Sequence, residues 1–95
     1  MFKSYIYFIL AKIRLRVKAL GIQNITELLS VDDLVVGINA AECLTNLAED
    51  ADIRVEIIKN GAIPLLMSAA MKPDLKIQTN AALAMARCLN DGIYF

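Results

Sequence analysis

The chain has 95 residues, enough for one small domain, and 58% of them are hydrophobic. Because it contains no histidine, a Ser–His–Asp triad, a Cys–His dyad and a histidine-ligated zinc site are excluded within the chain. Cys43 and Cys88 have no nearby second cysteine, and the four glycines form no phosphate-binding loop. We therefore expect a non-enzymatic protein that uses no metal or other cofactor.

The charges are distributed unevenly, although the net charge is zero. Residues 1–20 contain five basic residues and no acid, a net charge of +5, whereas residues 21–95 contain five basic and ten acidic residues, a net charge of −5. Residues 21–95 would repel phosphates, so nucleic acid is not expected as a partner. A basic first segment is typical of a targeting segment or a membrane-facing arm.

Residues 1–19 form an apolar and basic segment for which the sequence leaves several structures open. The apolar run from Tyr5 to Ala11 is too short to span a bilayer. From Lys12 to Lys18, charged and apolar residues alternate strictly, which favours a strand over a helix. Three interpretations compete. The segment is a capping helix left from a repeat unit that precedes the helices predicted for residues 34–89, a membrane or organelle-targeting segment, or sequence from a truncated or alternative gene product.

A long helix is predicted from about Leu34 to Ala48. Asp33 directly precedes it and suits the N-cap position, because its carboxylate can accept from the free backbone N–H groups of the first turn. Apolar residues follow at helical spacing, and we expect them to face the core: Val36, Ala40, Cys43, Leu44 and Leu47.

Two shorter helices are predicted next. The first covers residues 52–59, and Asn60-Gly61 ends it because both residues tolerate left-handed backbone. Pro64 fits the first turn of the second, which runs to about Met71 and is closed by Lys72-Pro73. The apolar side chains of the first short helix are expected to point inward: Ile53, Ile57 and Ile58.

A second long helix is predicted from about Leu75 to Leu89, with Asp74 as its N-cap and a turn at Asp91-Gly92 after it. Its inward stripe is expected to consist of Ile77, Ala81, Ala84, Met85 and Cys88. Small residues of both long helices are expected to let neighbouring helices approach closely: Ala40, Ala41, Ala81 and Ala82.

The two long helices belong to an internal repeat. When the chain is shifted by 41 residues, eight of the 34 pairs from 17/58 to 50/91 are identical. Asp33-Leu34 falls on Asp74-Leu75, and Asn39-Ala40-Ala41 falls on Asn80-Ala81-Ala82. A period in the low forties is typical of helical solenoids.

Two segments resemble the armadillo repeat. Asn60-Gly61-Ala62-Ile63-Pro64-Leu65-Leu66 is similar to the motif that opens the second armadillo helix, and Ala40–Ala48 is similar to the motif of the third. The resemblance implies an all-α, right-handed α-solenoid of about two repeats. It divides the chain into an N-terminal segment 1–19, a partial repeat 20–49, a full repeat 50–92 and a tail 93–95.

The resemblance also implies a binding groove lined by the third helices. An asparagine of the third armadillo helix commonly bonds a partner's backbone, and the matching residue here is Asn46. The groove tryptophan of nuclear-import receptors is replaced by Glu42 and Leu83, which argues against recognition of nuclear-localisation peptides. Helical spacing independently selects one polar face, and we take six of its residues as candidate partner-binding positions: Asn39, Glu42, Asn46, Asn80, Leu83 and Arg87. The alternative is a face that is only solvated.

These observations favour a scaffold or adaptor that binds an intracellular protein along its third-helix groove. The partner would be an extended peptide segment or neighbouring repeats, and the open repeat ends could also associate with each other. Two alternatives stay open: a fragment or short isoform with only a structural stacking role, and an adaptor tethered to a membrane through residues 1–20. We expect a cytoplasmic location, with the nucleus and cytoskeletal or ciliary structures as alternatives.

Overall fold

A computed structural model describes residues 2–89 of the chain. Between residues 2 and 19, the side chains it describes are those of Ser4, Ile6, Ile9, Leu10, Lys12, Ile13 and Arg16. Residues 2–89 contain no strand and form five α-helices: α1 Phe2–Leu28, α2 Leu34–Leu47, α3 Ala51–Lys59, α4 Ala62–Ala70 and α5 Leu75–Leu89. The all-α prediction is therefore confirmed, while the expected turn at Asp91-Gly92 and the tail 93–95 lie outside the described residues.

Aspartates cap the starts of α2 and α5, as predicted. Asp33 Oδ1 accepts a hydrogen bond from the backbone N–H of Val36 at 3.1 Å, and Asp74 Oδ1 accepts one from Ile77 N–H at 3.0 Å. Asp50 caps α3 in a related way, by accepting from Asp52 N–H at 2.9 Å. Each cap satisfies a backbone donor that has no partner inside its helix.

The turn between α3 and α4 has the predicted left-handed residue. Gly61 has a φ of 74°, which a residue without Cβ adopts at little cost. The Asn60 side chain donates to the carbonyl oxygen of Glu56 at 2.7 Å, beside the bond that the same oxygen accepts from the Asn60 backbone N–H at 3.0 Å, and so reinforces the end of α3. This turn folds α4 back against α3.

The core centres on α5, which packs against α2, α4 and α3. Ala41, Ala81 and Ala84 are fully buried in this core, so small side chains do let the helices approach closely. The prediction was wrong for Ala82, which is exposed because no described helix lies beyond α5 in the stack.

Two further inward predictions were wrong. Ile53 and Ile57 are buried, but Ile58 is 42% exposed, because one residue advances the helix by about 100° and moves the side chain off the buried face. Cys43 is exposed on α2, whereas Thr45 is buried there with its hydroxyl donating to Ala41 O at 2.8 Å.

The first helix is long and uninterrupted. Although the alternation between Lys12 and Lys18 favours a strand when taken alone, α1 is a continuous helix from Phe2 to Leu28, about 40 Å long at 1.5 Å per residue. Its last third packs against α2 and α3 and buries Ile22. Its earlier part exposes four large apolar side chains at helical spacing: Ile6, Ile9, Leu10 and Ile13. Among the helices of residues 2–89, none combines the length and apolar character needed to cross a bilayer.

Candidate protein-interaction surface

A shallow cavity of about 320 Å³ lies on the surface where α2 and α5 run side by side. Both helices are held at equivalent starting points by their aspartate caps, so the side chains on their shared face follow the same helical spacing. The lining combines an acid, two basic residues, two amides, a hydroxyl and an apolar side chain: Glu42, Thr45, Asn46, Lys76, Asn80, Leu83 and Arg87.

Five of the six predicted partner-binding residues line this one cavity: Glu42, Asn46, Asn80, Leu83 and Arg87. Asn39 does not, although it is exposed on the same helix as Asn46. The spacing i, i+3, i+7 therefore brings most of the predicted positions together from two separate helices.

Two lining residues were missed by sequence reasoning. Lys76 lies four residues before Asn80 on α5, so extending the polar stripe by one turn would have found it. Thr45 carried no signal of this kind, because its side chain is buried and its hydroxyl is already bonded to Ala41 O. It contributes to the cavity floor and not to the polar face.

Arg87 links the two helices. Its Nη1 donates to the carbonyl oxygen of Thr45 at 3.2 Å and lies 3.5 Å from Glu49 Oε1. Thr45 is in the last turn of α2, where carbonyl groups lack partners within the helix, so the guanidinium acts as a C-terminal cap supplied by another helix. The ion pair itself is solvent-exposed, with the side chains 40% and 74% accessible, and adds little.

Unlike Arg87, the two asparagines of the cavity have side chains that are free to bond a partner. Asn46 is exposed and Asn80 is half-buried, and among the described residues neither side-chain amide has a hydrogen bond within the chain. Each amide can donate two hydrogen bonds and accept others, which matches the alternating groups of an extended peptide backbone. Leu83, 45% exposed beside them, offers an apolar contact.

One protein-family model matches the chain. It covers residues 50–88, and its description is the Armadillo/beta-catenin-like repeat. The chain carries an armadillo repeat. No curated protein and no solved structure matches the chain significantly.

The armadillo repeat comprises α3, α4 and α5 up to Cys88. Its order of two short helices and one long helix is the predicted one, and the fold prediction of armadillo-type helical repeats is confirmed. By the 41-residue shift, α2 is the counterpart of α5 and the end of α1 is the counterpart of α4. The cavity therefore lies between the third helices of two successive units.

Armadillo repeats form a non-enzymatic scaffold for protein–protein interaction. The side chains at the α2/α5 surface suit that role, because amides, charges and one leucine offer contacts without a nucleophile–base pair. Among the side chains that the structure describes, no three His, Cys, Asp or Glu residues are placed to hold a metal ion.

Proposed function

We propose that the α2/α5 surface binds an extended segment of an intracellular protein, so that the chain acts as an armadillo scaffold or adaptor. The observation that carries this proposal is the pair of amides, Asn46 and Asn80, that have no partner among the described residues and line the same cavity. An extended peptide has unpaired backbone groups of its own, and two amides on one rigid surface can bond them.

The electrostatics of the surface favour a peptide of mixed character. Glu42 lines the cavity together with Lys76 and Arg87, so the surface carries charges of both signs. It therefore does not favour a strongly acidic or a strongly basic segment. Leu83 supplies the place for an apolar side chain. Because both cysteines are free thiols, the protein suits a reducing compartment, and we place the interaction in the cytoplasm.

A displayed library of random twelve-residue peptides tests the proposal. Peptides selected on the wild-type chain should lose about tenfold or more in affinity when Asn46→Ala and Asn80→Ala are combined, since two hydrogen bonds are lost. Asn24→Ala is the matched control, because Asn24 is an exposed asparagine on α1, outside the cavity. Equal affinities for the double variant and the wild type would refute the assignment of the surface.

A structural stacking role is a second candidate, and the far side of α5 favours it. Ala41 of α2 and Ala48 at its C-cap are buried in the stack, but their counterparts Ala82 and Leu89 on α5 are exposed. A further armadillo unit would cover these two residues. If stacking is the main role, Ala82→Glu should block assembly with other repeats and leave peptide binding at the α2/α5 surface unchanged.

A further inference from the structure

We propose that two copies of the chain exchange their N-terminal helical arms, residues 2–20, each arm filling a place on the other copy that its own uninterrupted α1 leaves open. This goes beyond peptide binding at the α2/α5 surface and does not depend on it. The occupant of the open place is residues 11–19 of the second copy.

The first observation is a match between the arm and α3. Residues 11–21 also align with 51–61 at a shift of 40, a register that replaces the 41-residue one over residues 17–21 and gives up the Lys18/Lys59 identity. Four pairs are identical: Ala11/Ala51, Ile13/Ile53, Arg14/Arg54 and Gly21/Gly61. Val17 falls on Ile57, so both buried isoleucines of α3 have apolar counterparts in the arm. Residues 11–19 therefore have the sequence of a first repeat helix.

The second observation is that this helix does not fold back on its own unit. In the armadillo repeat, Gly61 has a φ of 74° and the chain reverses, so that α3 packs on α4 and α5. Its counterpart Gly21 is helical, and α1 continues through it without a break. The residue before the glycine explains the difference: Asn60 bonds Glu56 O and tolerates the turn, whereas its counterpart is Leu20, a good helix former.

The two surfaces that would meet in this contact, one on the arm and one on α2, are at least partly exposed. Ile13 is 52% exposed, although its counterpart Ile53 is buried. On α2, Cys43 is exposed and Leu47 is half-buried, although the corresponding α5 residues, Ala84 and Cys88, are fully buried. The first unit thus lacks cover at positions that the armadillo repeat covers.

Charge complementarity favours a second copy's arm as the occupant. Residues 1–20 have a net charge of +5 and no acid, while residues 21–49 contain five acids and no lysine or arginine, a net charge of −5. An arm is therefore attracted to the first unit of another copy and repelled by another arm. Exchange of an identical element between protomers is a low-cost route to a closed, two-fold dimer.

Two hinge substitutions have opposite expected effects, measured by sedimentation of the full chain over a range of concentrations. Gly21→Ala favours the uninterrupted helix, and a Cβ there meets nothing within 4 Å. The competing monomeric form is a chain whose arm folds back at Gly21, and alanine disfavours that form. Gly21→Ala should therefore lower the dimer Kd by about fivefold or more, as expected for replacing glycine by alanine in a helix. Leu20→Asn recreates the Asn-Gly turn and should convert the dimer to a monomer. Gln23→Ala, exposed on the same helix, is the control and should change neither.

A second pair of variants locates the contact. Ile13→Asp should raise the dimer Kd by more than about tenfold, because it would bury an unpaired carboxylate where Ile53 is buried in the repeat. Ile9→Asp removes an equally exposed apolar side chain outside the matching segment and should have a much smaller effect. Equal losses from both would indicate non-specific hydrophobic association and overturn the proposal.

The remaining outcomes also overturn it. If the wild type and Gly21→Ala are monomeric at all concentrations and Gly21→Ala lowers Tm, the arm folds back within its own chain with Gly21 at positive φ. If the chain is monomeric and cosediments with phosphatidylserine vesicles, and both aspartate variants abolish this, the arm binds membranes instead.

Discussion

Ile77 Cδ1 lies 3.0 Å from the point that a Cβ atom on Gly37 would occupy, so a methyl group there would require Ile77 to shift by a few tenths of an ångström. Ile77 is fully buried and cannot move aside freely. The lack of a side chain at Gly37 therefore allows the third helices of the two units to approach closely at this point. The distance between these helices in turn determines how closely the two rows of polar side chains approach at the candidate binding surface.

Gly37→Ala should destabilise the fold despite the better helix propensity of alanine. Overpacking against Ile77 costs about 1–3 kcal/mol, against a helix-propensity gain of up to about 1 kcal/mol. Ile77→Val removes Cδ1, the atom that a Cβ on residue 37 would meet. It should therefore lower the free energy of unfolding less in the Gly37→Ala background than in the wild type. Urea unfolding of the double-mutant cycle measures this, and strictly additive effects would show that the two residues do not compete for space.

Removing the arginine cap should loosen the last turn of α2. We expect Arg87→Ala to lower the free energy of unfolding by about 1 kcal/mol, because the Thr45 carbonyl loses its donor. Glu49→Ala removes only the exposed ion pair and should cost less than about 0.5 kcal/mol, and less still in 1 M salt. Denaturant titrations of both variants compare these costs, and a larger loss from Glu49→Ala would contradict the capping role.

The turn at Gly61 should resist substitution for a backbone reason alone. A Cβ at this position meets no atom within 4 Å, but the φ of 74° disfavours any residue with a side chain. Gly61→Ala should therefore cost about 1–2 kcal/mol. Gly61→Asn should cost less, since asparagine tolerates this conformation better. Thermal unfolding followed by circular dichroism would test the order, which equal Tm values for all three proteins would refute.

Stability should fall in alkaline solution through Cys88. Burial raises the pKa of its thiol above the ordinary value of 9.0, and the nearby Arg54 guanidinium only partly offsets this. Because the folded state holds the proton more tightly than the unfolded state, this contribution is complete below pH 9.0 and is lost as pH rises through the folded pKa.

Cys88→Ala should therefore weaken the decrease in unfolding free energy above pH 9.0, as measured by urea titrations at several pH values. Cys43→Ala is the matched control, since Cys43 is exposed and its removal should leave the pH dependence intact. Thiol labelling of the native wild type should modify Cys43 long before Cys88. Simultaneous labelling would show that Cys88 is not protected.

Local signals predicted the elements of this fold well. The bounds of α5 were predicted to the residue, and Asp33, Asp74 and Gly61 have the predicted capping and turn roles, because each depends on a few neighbouring residues. For residues 1–19 the local signals conflicted, so the sequence left a helix open beside other structures. Alternation over seven residues from Lys12 to Lys18 suggested a strand, but continuity with a packed helix decided the structure.

Burial was predicted less well, because it depends on which helix lies beside a given face. Cys43 and Ala82 occur in patterns that indicate a core, yet both are exposed, since none of the described helices covers them. Helical spacing found most of the cavity residues. The bond from Arg87 to Thr45 could not be found in this way, since the two residues are 42 positions apart and meet only through stacking.

The two free amides of the cavity are not at equivalent positions of their units. Asn80 corresponds to Asn39, so Asn46 lies seven residues further along its helix, about 10 Å at 1.5 Å per residue. With a further 8–10 Å or so between neighbouring helix axes, a ligand must cross the surface obliquely. An extended chain advances about 3.3 Å per residue, so any peptide shorter than roughly four residues can satisfy one amide or the other, but never both together.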